Sequence, residues 1–399
     1  MKKILSNLFI LVSALVLITG CQDRSNLTAP TPLSPKSGTA DFTRFVSIGN
    51  SITAGYQSSA LFKDAQVYAY GNQIAQIVNT TYAIPYISDP GLGGQLQVHS
   101  LSPGLVLVSQ PSSGVPLNLT YPAPYNNLGV PGALLHDVVN TTTSVANPFF
   151  DLILRGLGTQ FAEAKALHPT FVTCWIGNND VLGFATSGGF SPPAPTKSDD
   201  FYNQYKDLGD SLASLGASVV VANIPDVTTI PFFTTVGPLL AKGTPWTAAG
   251  IPGLFYQKHG VTTPNPTVFA DSADIASLKV MITLSGQNYT GLLGAPTGKW
   301  YRDNHYPGLP PGIDTTKPFG FYPTNPWPDA LILDADEINT ARNATQFYNA
   351  AISSVAGVKG FAVVDINAVF KNIFLASISQ GGVMYNGVNF TAFYITGGL

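Results

Sequence analysis

The sequence predicts a three-layer α/β/α fold on a doubly wound parallel sheet, and three observations carry that prediction. Four short runs, Phe45 to Ile48, Phe171 to Ile176, Val219 to Ile224 and Phe361 to Ile366, are apolar, β-branched and aromatic almost throughout, as strands covered on both faces should be. Helical patterns lie between them, over Asp151 to Leu167, Asp199 to Leu215 and Asp334 to Val355. Strand, helix, strand at this rhythm is the signature of parallel βαβ units.

The elements can be justified in order. Lys2 and Lys3 precede an apolar run from Ile4 to Ile18, which has the length of a secretory signal and is short for a membrane span. It ends in Leu17-Ile18-Thr19-Gly20-Cys21, which resembles a bacterial lipobox. The resemblance implies that residues 1–21 are a lipoprotein signal peptide with its lipidated Cys21, so that acyl chains anchor the protein to the membrane without spanning it. A cell-envelope location, periplasmic or outer-membrane, follows; an ordinary signal peptide or an uncleaved anchor is the alternative. Residues 22–40 are rich in Ser, Thr, Pro and Gly without apolar periodicity and read as a flexible tether.

From Asp41 a single domain is expected. Charged residues make up 10% of the chain and its net charge is −3, so a basic nucleic-acid footprint is absent and no charge block points to an acidic or basic partner. The chain has two cysteines. With Cys21 carrying lipid, Cys174 is left to be a buried thiol in the apolar run "FVTCWIG", and neither a disulfide framework nor a Cys-based metal site can be built. The five histidines are scattered without metal-ligand spacing, and no cofactor is expected. A monomer is expected. The helix from Asp334 opens with Asp334 and Glu337 in capping-box spacing and carries Ile338, Ala341, Tyr348, Ile352 and Val355 on one stripe. Two stretches, 82–125 and 231–327, are rich in Pro, Gly and aromatics with little periodicity. They read as loop insertions on the rim of the sheet, of a length that implies function.

Chemistry is expected at the carboxyl ends of the strands. Gly49-Asn50-Ser51 follows the first strand. There Ser51 is either an ordinary helix cap or a nucleophile whose own N–H stabilises an oxyanion. Gly177-Asn178-Asn179-Asp180 follows "FVTCWI" as either a capped turn or a source of a side-chain amide donor. In "NNLGVPGALLHD", Gly132 permits close backbone approach and offers its N–H.

Together "SIGNSITAGY", "NLGVPG" and "WIGNND" resemble the first three conserved blocks of the SGNH/GDSL hydrolases, in the family's order, and "VVVANIPDVTTIPFF" resembles the strand and turn that follow in lipase-like members. The resemblance runs from Phe45 to about Asn367 and implies a flavodoxin-like sheet and a lipase- or esterase-type activity on ester bonds. It also implies Ser51 as nucleophile and an oxyanion hole made by Ser51, Gly132 and Asn179. Asn50 stands where the family usually has Asp. Thr53, two residues after Ser51, excludes the G-x-S-x-G elbow, and the lack of a Lys after Gly55 excludes a P-loop.

One departure bears on activity. The family's base and its orienting acid come from a single D-x-x-H block, yet the residues three positions before His99, His136, His168, His259 and His305 are Leu96, Ala133, Lys165, Tyr256 and Arg302. The chain stops soon after an Asn386-Gly387 hairpin signal, where the family's block and closing helix belong, so the sequence reads as truncated at its C-terminus. His305, beside Asp303, could swing over the crevice, and His136 could approach from beside Gly132; a solvated loop residue and a helix-surface residue are the plainer readings. The expected substrates are small-molecule, lipid or glycan esters, in a pocket walled by the aromatic insertions. The rival class is a non-catalytic glycan- or lipid-binding surface lipoprotein on the same scaffold.

Overall fold

A computed structural model describes residues 38–100, 106–189, 194–243, 250, 252–258, 267–385 and 388–392. The signal segment, Cys21 and most of the tether lie outside the described residues. Five strands, β1 (Phe45–Gly49), β2 (Asn127–Gly129), β3 (Phe171–Trp175), β4 (Ser218–Ala222) and β5 (Ala362–Val364), form one parallel sheet in the order β2-β1-β3-β4-β5. This is the flavodoxin-like order, whose ligand crevice opens where the winding reverses between β1 and β3. Strands β1 to β3 are buried along almost their whole length, which explains why β1 and β3 read as unbroken apolar runs. Cys174 is buried in β3, and burial pushes its thiol up to about 12, keeping it protonated and inert.

Helices cover the sheet, among them α1 (Ser51–Ala54), α2 (Gln160–Ala166), α3 (Asn179–Thr186), α4 (Ser198–Ala213) and α5 (Ala335–Lys359). The capping box of α5 is formed in full by Asp334 and Glu337, and the expected stripe of Ile338, Ala341, Tyr348, Ile352 and Val355 is buried. Tyr348 stacks on Phe201 of α4, with ring centroids 3.8 Å apart at 9°. The single helix expected over Asp151 to Leu167 is instead two, Phe149–Leu154 and α2. Arg155 ends the first in a left-handed conformation, and Gly156 and Gly158 also have positive φ, so the chain turns before helix can resume.

The second insertion is not a run of loops. It contains the antiparallel pair Gly253–Gln257 with Thr267–Asp271, several short helices, and a buried cluster that includes Tyr256, Trp300, Tyr301, Phe319, Phe321 and Trp327. Those aromatics are irregularly spaced in the sequence, so their burial left no periodic signal. A ribbon of Met281–Ile282 paired with Ile332–Leu333 divides this cluster from the main core: Met281 and Leu333 face the main core, while Ile282 and Ile332 face the second. The first insertion carries the hairpin Leu96–Ser100 with Val106–Ser109. It is pinned by Arg155, whose guanidinium donates to the carbonyls of Leu119, Tyr121 and Ala123 and lies 4.2 Å over the Tyr125 ring.

The last strand also differs from expectation. Strand β5 is exposed along its length, and the helix after it, α6 (Ile366–Gln380), buries little beyond Ala376 and Ser377. The final hairpin pairs Val383–Tyr385 with Val388–Phe390; its Asn386-Gly387 turn lies outside the described residues. None of the described helices is long and apolar enough to cross a membrane.

The carboxyl ends of β1 and β2 are tied together from behind by α2. Gln160 donates to the carbonyls of Gly49 (2.7 Å) and Leu128. One turn on, Glu163 is buried, and neither of its carboxyl oxygens has a hydrogen-bond partner among the described residues. Burial pushes its carboxyl up to about 8, opposed by the charge of Arg155. The folded state therefore favours the protonated form, and stability is lost as pH rises from the carboxyl's ordinary range, near 4.5, through about 8. Thermal melting between pH 4 and 9 should show this fall in the native chain and a shallower one in Glu163→Gln.

Candidate active site

Strand register sets the geometry. Gly49 is level with Gly129 of β2 on one side and with Trp175 of β3 on the other, so the three loops that follow leave the sheet side by side. They carry Ser51, Gly132 and Asn179. The sequence placed these residues on three separate elements, and the fold puts them at adjacent strand ends beside the reversal of winding. Helix α1 lies directly on β2: a Cβ at Gly129 would fall 2.3 Å from the Ala54 nitrogen. Only glycine allows that approach.

The cap position is taken by the neighbour of Ser51. Asn50 is the N-cap, its side-chain oxygen accepting from the Ile52 N–H at 3.1 Å. Ser51 is the first helical residue, half-buried. Neither its hydroxyl nor its N–H has a hydrogen-bond partner among the described residues. An N–H at the start of a helix has no partner within that helix, so it is available to an outside acceptor. The Asn at position 50 performs a cap's function as an Asp would.

The loop after β2 is held in three places. Asn147 donates its amide to the Pro131 carbonyl at 2.7 Å, Asn179 donates to the Ala133 carbonyl at 2.8 Å, and Asp180 accepts from the Leu135 N–H at 2.9 Å. Between the two held carbonyls lies Gly132, exposed, with φ +81, a conformation costly for any residue with a Cβ. In a planar trans peptide the C=O and the next N–H point in opposite directions. Holding the Pro131 oxygen thus aims the Gly132 N–H away from Asn147, and that N–H too has no partner among the described residues. Asn179 has a second amide proton beyond the one given to Ala133. The arrangement can therefore offer two backbone N–H groups and one side-chain N–H to a developing negative charge beside a free serine hydroxyl.

Asp180 is the buried anchor of this arrangement. It accepts from Leu135 N–H and from the Thr196 hydroxyl at 2.8 Å. Burial pushes its carboxyl up to about 6, and those hydrogen bonds pull it back. Sequence reasoning missed both Asp180 and Asn147 as parts of the site. Asp180 lies inside a motif already singled out, whereas Asn147 sits in "SVANPF", which carries no signal of its own.

No described histidine is hydrogen-bonded to a carboxylate. His136 faces its own helical turn, Nδ1 lying 3.2 Å from the Asn140 amide nitrogen. His168 precedes β3 and so stands at the amino edge of the sheet, opposite the site. His99 is exposed on the first insertion's hairpin, and His259 lies outside the described residues. His305 is exposed, and its neighbour Asp303 is already engaged by Lys299 at 2.6 Å and Tyr289 at 3.0 Å. Among the described residues no group of three His, Cys, Asp or Glu is placed to hold a metal ion.

The model of the GDSL-like lipase/acylhydrolase family matches residues 45–260, more than half of the chain and all three of these loops. The chain belongs to that family. Its general chemistry is accordingly ester hydrolysis. No curated protein sequence matches this GDSL-family chain. The crystal structure of phospholipase A1 from Streptomyces albidoflavus NA297 is similar over 88% of this chain and 91% of that one, at 14% identity and a TM-score of 0.30, too distant for transfer of residues.

Asp180→Ala should cost roughly 1–3 kcal/mol, because it strands the buried Leu135 N–H and unpairs the half-buried Thr196 hydroxyl, whereas Asp180→Asn keeps an acceptor and should cost much less. Urea denaturation of the two variants measures the difference.

Proposed function

We propose that this protein is a lipid-anchored serine ester hydrolase of the cell envelope, tethered through Cys21, that cleaves acyl or acetyl esters of lipids or glycans. Ser51 Oγ attacks the ester carbonyl carbon. The resulting oxyanion accepts hydrogen bonds from the N–H groups of Ser51 and Gly132 and from the Asn179 amide. Collapse of the tetrahedral intermediate breaks the bond to the alcohol, which leaves with a proton, and water then hydrolyses the acyl-serine to regenerate Ser51. The observation that carries this reading is the pair of backbone N–H groups, on Ser51 and Gly132, that have no described acceptor and lie on adjacent level strand ends. Donors already fixed in place need no rearrangement when negative charge develops beside them.

The reaction needs a general base to take the Ser51 proton and to pass it to the departing alcohol.

The test is hydrolysis of p-nitrophenyl acetate and p-nitrophenyl palmitate by the full-length protein. Ser51→Ala should lower kcat by about a thousandfold or more. No Ser51-dependent turnover on either ester would overturn the assignment. Asn147 offers a finer check. Asn147→Asp keeps the shape but cannot donate to the Pro131 carbonyl, and freeing that peptide should lower kcat about ten- to a hundredfold with KM little changed. Equal kcat in Asn147→Asp and the native chain would mean that the clamp does not position the donor.

A further inference from the structure

The second insertion contains a cavity of about 670 Å³ that the hydrolytic chemistry does not use; Trp300, Tyr301, Asn304, Tyr306, Thr324 and Asp329 are among the residues lining it. It is set apart from Ser51. Its Asp329–Ala330 wall packs against the backbone of Gly188, just past the end of α3, and α3 begins at Asn179. Eight helical residues span roughly 12 Å, so the cavity lies at the far end of the helix whose near end carries the amide donor.

Three aromatic rings form one corner. Trp300 and Tyr301 have centroids 5.0 Å apart at 84°, and Tyr306 lies 5.2 Å from Trp300 and 5.3 Å from Tyr301. Trp300 and Tyr301 are buried, and Tyr306 stands at the rim, 38% exposed. Around them are neutral polar groups. The Asn304 side chain is oriented by donation to the Trp300 carbonyl at 2.8 Å, and the hydroxyls of Tyr301 and Thr324 are buried without a partner among the described residues.

This chemistry selects a ligand. Aromatic faces beside amide, hydroxyl and carboxyl groups suit a molecule with apolar C–H faces and hydroxyl edges. The lining carries no Lys, Arg or His, while Asp329 contributes a carboxyl, so an anionic headgroup would meet no counter-charge. An acyl chain would cover polar groups without replacing their hydrogen bonds. The volume is that of a small-ligand site. We propose that this cavity binds a short neutral oligosaccharide, stacked on Trp300 and Tyr306, as a glycan-holding site separate from the Ser51 crevice. It does not depend on ester hydrolysis.

The test is calorimetric titration of the full chain, in a sugar-free detergent, with cellotriose, maltotriose and N,N′-diacetylchitobiose, and with decanoate as the apolar comparison. At least one saccharide should bind. Ser51→Ala should leave that affinity unchanged, and Tyr306→Ala, a rim substitution, should weaken it at least tenfold. Hydrogen exchange on the native chain, which decides the matter even if Tyr306→Ala fails to fold, should slow across residues 300–313 when saccharide is added. The proposal is overturned if none of the three saccharides binds at millimolar concentration or if only decanoate binds. Saccharide binding that leaves exchange across 300–313 unchanged overturns it equally.

Discussion

Everything at the candidate site depends on the parallel register of β2, β1 and β3. Gly49, Gly129 and Trp175 end level, and only because they do can the loops carrying a serine, a glycine and an asparagine from distant parts of the chain leave the sheet side by side. The strands themselves contribute no chemistry. They fix three exit points, and the Gln160 amide, shared between the carbonyls of Gly49 and Leu128, locks two of them together. A slip of one residue in either pairing would carry one loop out of line and reverse the faces of that strand.

On this frame the loop after β2 is the part most in need of restraint, since its glycine is free to adopt many conformations. Restraint comes from two amides and one carboxylate, those of Asn147, Asn179 and Asp180, each fixing a different backbone group. Asn179 thus holds the element that carries Gly132 and keeps a second amide proton besides. Such coupling means that substitutions at these three positions should not act additively.

Much of this was legible in the sequence, for physical reasons. Strands buried on both faces have to be apolar, so β1, β3 and β4 announced themselves, and α5 showed both its cap and its stripe. Strand β2 did not, because it is three residues long and reads Asn-Leu-Gly, chosen for close approach to α1 rather than for β-propensity. The three candidate site residues could be named because each sits in a short motif at the end of a strand. Asn147 could not, since a side chain that reaches a carbonyl 16 residues away leaves no local pattern. The second insertion was opaque for a similar reason: its core is assembled from aromatics brought together by tertiary structure alone.

The ribbon between the two apolar clusters has an evolutionary consequence. Met281 and Leu333 belong to one core and Ile282 and Ile332 to the other, so alternate residues of a two-stranded seam act as a partition. Changes in the aromatic lining beyond the seam can be absorbed by that smaller core without disturbing the packing beneath β1 to β3. The fold thereby separates the part that must stay constant for a reaction from the part that can drift toward a new ligand, and the insertion is where diversification is cheapest.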